Sequence, residues 1–181
     1  MIYRPREDSF LLRKHVRKYA KGKVLDMGTG SGIQALAALE NTKDVLAVDI
    51  NPEAVEKLKR KGVNAIASDL FSDVNGKFDI IIFNPPYLPE DPEEDEESRL
   101  TTTGGKRGHE IIERFLKDAK RHLKKEGMIL LLFSSMTGDV DSILKKFKYK
   151  FVCIDKKKMF FEELYVYLVS LGTHAPMPVY T

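Results

Sequence analysis

Asn84-Pro85-Pro86-Tyr87 has the most pronounced chemical character of any stretch in this sequence. It follows Phe78-Asp79-Ile80-Ile81-Ile82-Phe83, an apolar run of strand length. The asparagine therefore stands at a strand's carboxyl end, where open α/β sheets hold their ligands. The two prolines fix φ and remove two backbone donors, so the turn is stiff and its carbonyls are left to accept from something else. An amide oxygen on Asn84, a fixed carbonyl on Pro85 and the aromatic face of Tyr87, beside Pro86, suit a planar NH2 group.

A second set of residues points to a ligand beside that turn. Asp26-Met27-Gly28-Thr29-Gly30-Ser31-Gly32 lies between a short strand (23–27) and a helix (33–39), the context a nucleotide-type turn needs. Gly28 and Gly30 permit tight turning and close approach of a ligand to the backbone. The dinucleotide fingerprint would place its third glycine at Ile33, one residue beyond Gly32. The acid at Asp26 repels phosphate and can hold an ammonium. Asp49 ends the next strand (44–49) and can accept from both hydroxyls of a ribose. Asp69 follows the third strand (63–67) and can accept from an adenine amino group while Ile50 or Leu70 packs the ring. Three acids at three successive strand ends, with a glycine turn, describe a site for S-adenosyl-L-methionine.

The elements that must position these groups alternate. Residues 7–20 show helical spacing of apolar residues behind an Asp/Ser cap candidate. Asn51 caps a helix with Pro52 in its first position, ending at Gly62. After the fourth strand (78–83), a long polar loop runs from Leu88 to Lys106, a length that is usually functional. A helix over 109–124 ends at Gly127, followed by strand 128–133, a short helix over 139–147, and strands 150–154 and 164–170. The last two strands have no long helix between them, which predicts an antiparallel pair at one edge. The expected fold is a Rossmann-like α/β domain spanning 1–181, a mostly parallel sheet with helices on both faces. Residues 172–181 form a loosely held tail.

Composition narrows the setting. The chain has 181 residues, 43% hydrophobic and 31% charged, with a net charge of +3. Seven acids fall among the eight residues Glu90–Glu97, and setting them aside leaves 20 acids against 30 basic residues. That run reads as a solvated loop on a mildly basic body. A single cysteine excludes an internal disulfide and a zinc framework. No apolar run approaches a membrane span and the start shows no signal-peptide core, so a cytoplasmic protein is expected. His15, His109, His122 and His174 lack metal spacing and read as surface or cap residues, with no metal site expected. Cys153 and Phe160-Phe161 read as core, and Lys156-Lys157-Lys158 as a solvated turn.

The chain resembles the class I S-adenosylmethionine-dependent methyltransferases, and within them the HemK-type protein-glutamine methyltransferases of the short archaeal and eukaryotic branch. The resemblance covers nearly the whole chain. It rests on Tyr3-Arg4-Pro5-Arg6-Glu7-Asp8-Ser9, Asp26 to Gly32, Asp49-Ile50-Asn51-Pro52, Asn84 to Tyr87 and Gly104-Gly105-Lys106-Arg107-Gly108. It implies a seven-stranded sheet with the last strand antiparallel. It implies methylation of the glutamine side-chain amide in a Gly-Gly-Gln motif of a class I translation release factor. A small zinc-binding activator protein is implied as heterodimer partner, and the apolar edge around Val63 to Ile66 is where a partner would add a strand. On this reading Asn84 and Pro85 accept from the target's two N–H bonds, Tyr87 packs on its plane, and Ser9, with Glu7 or Asp8, closes the cofactor site. Members of the branch are also linked to lysine and nucleic-acid adenine methylation. The same tetrapeptide serves adenine N6 and guanine N2, so a nucleic-acid acceptor stays open as the alternative.

Overall fold

In the computed structural model, which describes residues 5–90, 102–172 and 176–178, seven strands form one sheet. The strands are β1 (Val24–Met27), β2 (Val45–Asp49), β3 (Ala65–Ala67), β4 (Phe78–Phe83), β5 (Leu123–Ser134), β6 (Lys150–Lys158) and β7 (Glu163–Ser170). They lie in the order β3-β2-β1-β4-β5-β7-β6. Pairing is parallel from β3 to β5, and β7 runs antiparallel to both β5 and β6. The helices are α1 (Glu7–Tyr19), α2 (Ile33–Ala38), α3 (Pro52–Lys59), α4 (Glu110–His122) and α5 (Val140–Lys146).

The pleat of β4 shows why both faces are covered. Ile80 and Ile82 pack in one apolar cluster with Leu12 and Val16 of α1, Ala35 of α2 and Leu58 of α3. Ile81 and Phe83 pack in the other with Ile112, Phe115 and Leu116 of α4 and Leu144 of α5. All four strand side chains are essentially inaccessible to water, and each contributes roughly 1.5–3 kcal/mol of burial. The order of strands reverses between β1 and β4, so their carboxyl ends open a crevice, the usual ligand position in such sheets.

Several elements differ from their sequence-based expectation. The fourth helix ends at His122, and Leu123 is already extended (ψ 138°) and paired with Phe78. Gly127 therefore lies inside β5, where the register with β4 shifts; a Cβ there would stand 2.8 Å from the Phe78 carbonyl oxygen. Strand β6 continues to Lys158, so Lys156, Lys157 and Lys158 are exposed strand residues paired with β7 and not a turn. Cys153 is exposed because β6 is the sheet edge. Phe160 and Phe161 form the tip of the β6–β7 hairpin, 91% and 86% exposed, instead of joining the core. His15 is buried, its Nε2 2.7 Å from Asp155 Oδ2, which also takes Lys14 Nζ at 3.0 Å. That contact ties α1 to the β6 edge at the point where β6 shifts register. Of the remaining histidines, His109 stands at the N-cap of α4 and His122 stacks on Phe71 at 4.5 Å. The acidic residues Asp91 to Glu97, His174 and most of the tail lie outside the described residues. Among the described residues no helix is long and apolar enough to cross a membrane, and no three His, Cys, Asp or Glu side chains gather as a metal set.

Candidate active site

A cavity of about 900 Å³ opens at the carboxyl ends of β1 to β4. Every residue that the sequence singled out for chemistry lines it: Ser9, Asp26, Gly28, Gly30, Asp49, Ile50, Asp69, Leu70, Asn84, Pro85, Pro86 and Tyr87.

Asn84 leaves β4 pointing at the first turn of α1. Its Nδ2 donates to Asp8 Oδ2 at 3.0 Å. An ionised carboxylate only accepts, so the NH2 end of the amide must face Asp8 and the oxygen must face the other way. Asn84 Oδ1 is buried and has no hydrogen-bond partner among the described residues. The other oxygen of Asp8 is held by the Ser9 N–H at 2.6 Å. Asp8 and Ser9 are thus not the helix cap, as the spacing suggested; the N-cap is Arg6, which makes no side-chain capping bond. Both face inward, and the Ser9 carbonyl accepts from Gln34 Nε2 at 2.9 Å. Gln34 Oε1 is in turn buried without a partner among the described residues.

The tetrapeptide is stapled from behind. The N–H groups of Tyr87 and Leu88 both donate to the Thr102 carbonyl, at 3.1 and 2.9 Å, and Gly104 N–H donates to the Leu88 carbonyl at 2.9 Å. The glycines of Gly104–Gly108 are required by that packing. A Cβ on Gly104 would overlap the Gly108 carbonyl oxygen and stand 2.6 Å from that of Pro86. A Cβ on Gly108, whose φ is +86°, would stand 2.6 Å from the Tyr87 carbonyl oxygen. No side chain fits between the two backbones. The Pro85 carbonyl accepts no hydrogen bond from any described residue.

The acids differ in environment. Asp26 is almost wholly buried; its Oδ2 accepts from Thr29 Oγ1 at 2.6 Å and from the Ala35 N–H at 2.9 Å, bracing the glycine turn against the start of α2. Burial pushes its carboxyl up to about 7, opposed by those two hydrogen bonds and aided by the charge of Asp49. Asp49 is held by two backbone donors, Gly30 N–H on Oδ2 at 2.7 Å and Asn51 N–H on Oδ1 at 2.8 Å. Asp69 is half exposed and ion-paired to Arg114 of α4 at 2.7 Å. Ile50 stands 70% exposed over the cavity. Leu70 has φ +50°, a left-handed conformation that costs a non-glycine residue about 1–3 kcal/mol. Such strain concentrates where a side chain is held for a ligand.

Several participants are not singled out in the sequence. The bond from Asp8 to Asn84 spans 76 residues and no spacing discloses it. Gln34 carries a signal, being the one polar residue of the helix Ile33-Gln34-Ala35-Leu36-Ala37-Ala38. Arg114 and Glu162 reach the cavity from elements distant in sequence.

A seven-stranded sheet of this order, with acids closing its first three strands and Asn-Pro-Pro-Tyr closing the fourth, defines a Rossmann-like methyltransferase. Residues 7–161 match the methyltransferase small domain family. The chain belongs to that family, in its HemK-type protein-glutamine branch, and is an N-methyltransferase. It is 41% identical over 176 residues to a putative protein N5-glutamine methyltransferase of Methanocaldococcus jannaschii, a match covering 91% of this chain and 89% of that protein. It is 36% identical over 123 residues to the release factor glutamine methyltransferase of Streptococcus pneumoniae, covering 60% of this chain and only 44% of that protein. Its fold superposes on the E. cuniculi Mtq2–Trm112 complex, responsible for methylation of the eRF1 translation termination factor, with a TM-score of 0.77 at 26% identity, over 94% of this chain and 99% of that one.

Proposed function

We propose that this chain transfers the methyl group of S-adenosyl-L-methionine to the side-chain amide nitrogen of a glutamine, in the Gly-Gly-Gln motif of a class I translation release factor. The observation that carries this reading is the buried Asn84 Oδ1, which no described residue pairs and which Asp8 aims away from itself.

The residues fit the cofactor. Each Asp49 oxygen accepts one backbone N–H and keeps a lone pair for a ribose hydroxyl. Ile50 and Leu70 offer apolar faces for an adenine ring, and Asp69 an acceptor for its amino group. Gln34 Oε1 and Asp26 offer acceptors for an ammonium, with Ser9 closing that end and the Gly28–Gly30 turn lying close against the ligand. When bound, the cofactor supplies an electrophilic methyl on a sulfonium centre.

An amide nitrogen is a poor nucleophile because its lone pair is delocalised. Asn84 Oδ1 and the Pro85 carbonyl accept its two N–H bonds, which turns that lone pair toward the donor side of the cavity. Tyr87 packs on the amide plane, and Pro86 holds the same wall. These acceptors are fixed before the target arrives, so they cost no reorganisation, and most of the acceleration comes from orientation. Among the described residues the cavity is lined by six acids (Glu7, Asp8, Asp26, Asp49, Asp69, Glu162) against two basic residues, Arg6 and Arg114, the latter already paired with Asp69. Such a lining favours a peptide acceptor over a polyanion.

The proposal extends to a small zinc-binding activator as heterodimer partner in the cytoplasm. Mtq2 was solved in complex with Trm112, and β3 here is an edge strand. Val63 and Ala65 are buried, so a partner would pair with the backbone of β3 and touch Ile66. Residues 1–181 act as one methyltransferase domain with the amino-terminal helix closing the site.

Labelled S-adenosyl-L-methionine, offered with a class I release factor, its Gln-to-Ala variant and tRNA or DNA, tests the reading. Label on the wild-type factor alone is expected, and label on nucleic acid alone refutes it. Asn84→Ala should abolish transfer while cofactor affinity stays within a few-fold.

A further inference from the structure

The tip of the β6–β7 hairpin has no role in the site described so far, yet it carries three unusual features together. Phe160 and Phe161 are 91% and 86% exposed, their rings edge to face at 4.6 Å. Their neighbours Met159 and Glu162 turn inward and line the cavity. The Glu162 Oε2 atom is shielded from solvent and receives no hydrogen bond from any described residue.

The hairpin is firmly based. The Met159 N–H donates to the Glu162 carbonyl at 2.8 Å, the Ser135 N–H donates to the Glu163 carbonyl at 2.8 Å, and Glu163 N–H donates to Ser135 Oγ at 3.1 Å. Its position in the sheet assigns it a side. Strands β2 and β3, with Asp49 and Asp69, lie to one side of β1; β4, β5 and β7 lie to the other. The hairpin thus flanks Asn84 on the flank away from the acids that fit a nucleoside. A shielded carboxylate oxygen without a donor is destabilising, a cost recovered when something entering the cavity brings an N–H. Two adjacent exposed phenylalanines at the rim of the same cavity supply an apolar grip for whatever carries that N–H.

Building on the glutamine reading, we infer that the β6–β7 tip is the acceptor-docking element: Glu162 accepts a backbone N–H of the segment flanking the target glutamine, and Phe160 and Phe161 grip apolar side chains of the same protein beyond the cavity. The occupant is a polypeptide because the tip residues that line the cavity, Met159 and Glu162, and the rings beside them offer a carboxylate and apolar surface, while the exposed lysines 156–158 precede the tip on β6 and do not line the cavity. A glycine-flanked glutamine suits the place, since its neighbours leave their N–H groups sterically open.

The test compares wild type, Phe160→Ser/Phe161→Ser and Glu162→Gln, by steady-state kinetics with a class I release factor and by calorimetric titration of S-adenosylhomocysteine. Both phenylalanines are exposed, so the double variant should melt within about 2 °C of wild type. It should raise KM for the release factor at least tenfold, and raise KM much less for a short Gly-Gly-Gln peptide that ends before the rim. Glu162→Gln should lower kcat/KM at least tenfold for both acceptors, with S-adenosylhomocysteine affinity unchanged within twofold. An unchanged KM in the double variant overturns the docking surface, and a tenfold loss of S-adenosylhomocysteine affinity in Glu162→Gln reassigns that carboxylate to the cofactor. If wild type leaves the release factor unmodified and the double variant instead raises KM for tRNA, both this inference and the glutamine reading fall. Normal wild-type turnover with indifferent variants sinks the inference alone.

Discussion

Asp8 sets the orientation of the Asn84 amide, and removing it should slow methyl transfer by a calculable amount. A hydrogen bond to a charged acceptor contributes about 1.5–3 kcal/mol. In wild type it favours one face of the amide by that margin, because the flipped amide would set its oxygen against a carboxylate oxygen at 3.0 Å. In Asp8→Ala the bias disappears, Nδ2 loses its acceptor, and the acceptor atom for the target is no longer fixed. A loss of 1.5–3 kcal/mol from the transition state is about a 10- to 150-fold fall in kcat. Asp8→Asn can still present an amide oxygen to Nδ2 without the charge, and a neutral bond is worth about 0.5–1.5 kcal/mol, so it should fall between the two. The same loss should lower the melting temperature of Asp8→Ala by roughly 3–12 °C, at about 2–4 °C per kcal/mol for a chain of this size. Single-turnover transfer with saturating cofactor isolates the step. Transfer by Asp8→Ala within twofold of wild type, in folded protein, would refute the positioning role. So would an equal deficit in Asp8→Asn and Asp8→Ala.

Three further outcomes follow from the same geometry. Because the Asp26 carboxyl is raised to about 7 in the fold but ionises near 3.9 when unfolded, the folded state binds the extra proton between those values, and stability from this group falls as pH rises from about 4 to 7, by roughly 3–5 kcal/mol. Urea unfolding at pH 5 and pH 8 should show wild type losing stability relative to Asp26→Asn, and parallel profiles would contradict the assignment. Gly108→Ala forces a Cβ to 2.6 Å from the Tyr87 carbonyl oxygen at φ +86°, so it should cost about 1–3 kcal/mol of strain and, by displacing the tetrapeptide, on the order of 100-fold in kcat; peptide-acceptor kinetics and thermal melts read both. Arg114→Ala breaks an ion pair whose side chains are 58% and 47% exposed, worth at most about 1 kcal/mol; it should shift the melting temperature by no more than about 4 °C and leave cofactor affinity within threefold, whereas Asp69→Ala should weaken it about tenfold in equilibrium titration.

The alternation of apolar runs with helical spacing made the sheet and its covering helices legible, because residues 80–83 of β4 and 128–133 of β5 are continuous apolar runs that a doubly covered sheet buries. Element ends were harder. Gly127 looks like a helix terminator, but the helix stops at a basic last turn, Lys120-Arg121-His122, and the glycine serves a register shift against β4. Local composition cannot tell those uses apart, since both need a residue without a side chain. The exposure of Phe160 and Phe161 was illegible for a related reason: hydrophobicity predicts burial only where the chain has neighbours to provide it, and a hairpin tip projecting from an edge strand has none.

In the site, residues fixed by their position on a strand end were readable, and those fixed by a distant partner were not. Asp26, Asp49 and Asp69 each follow from the strand before them. Asp8 reads as a helix-start residue near the cofactor end, and its bond to Asn84 emerges only when α1 is laid across the sheet through His15 and Asp155, which brings the two together from 76 residues apart. The tetrapeptide itself gains most from the structure. Its prolines remove donors, but they do not hold its carbonyls in place; the Thr102 carbonyl and the glycines at 104 and 108 do that, by closing the backbone behind it to a distance no side chain can share. The Gly104–Gly108 stretch and Asn84-Pro85-Pro86-Tyr87 are therefore two halves of one rigid acceptor wall, and a substitution in the first should reach the chemistry as surely as one in the second.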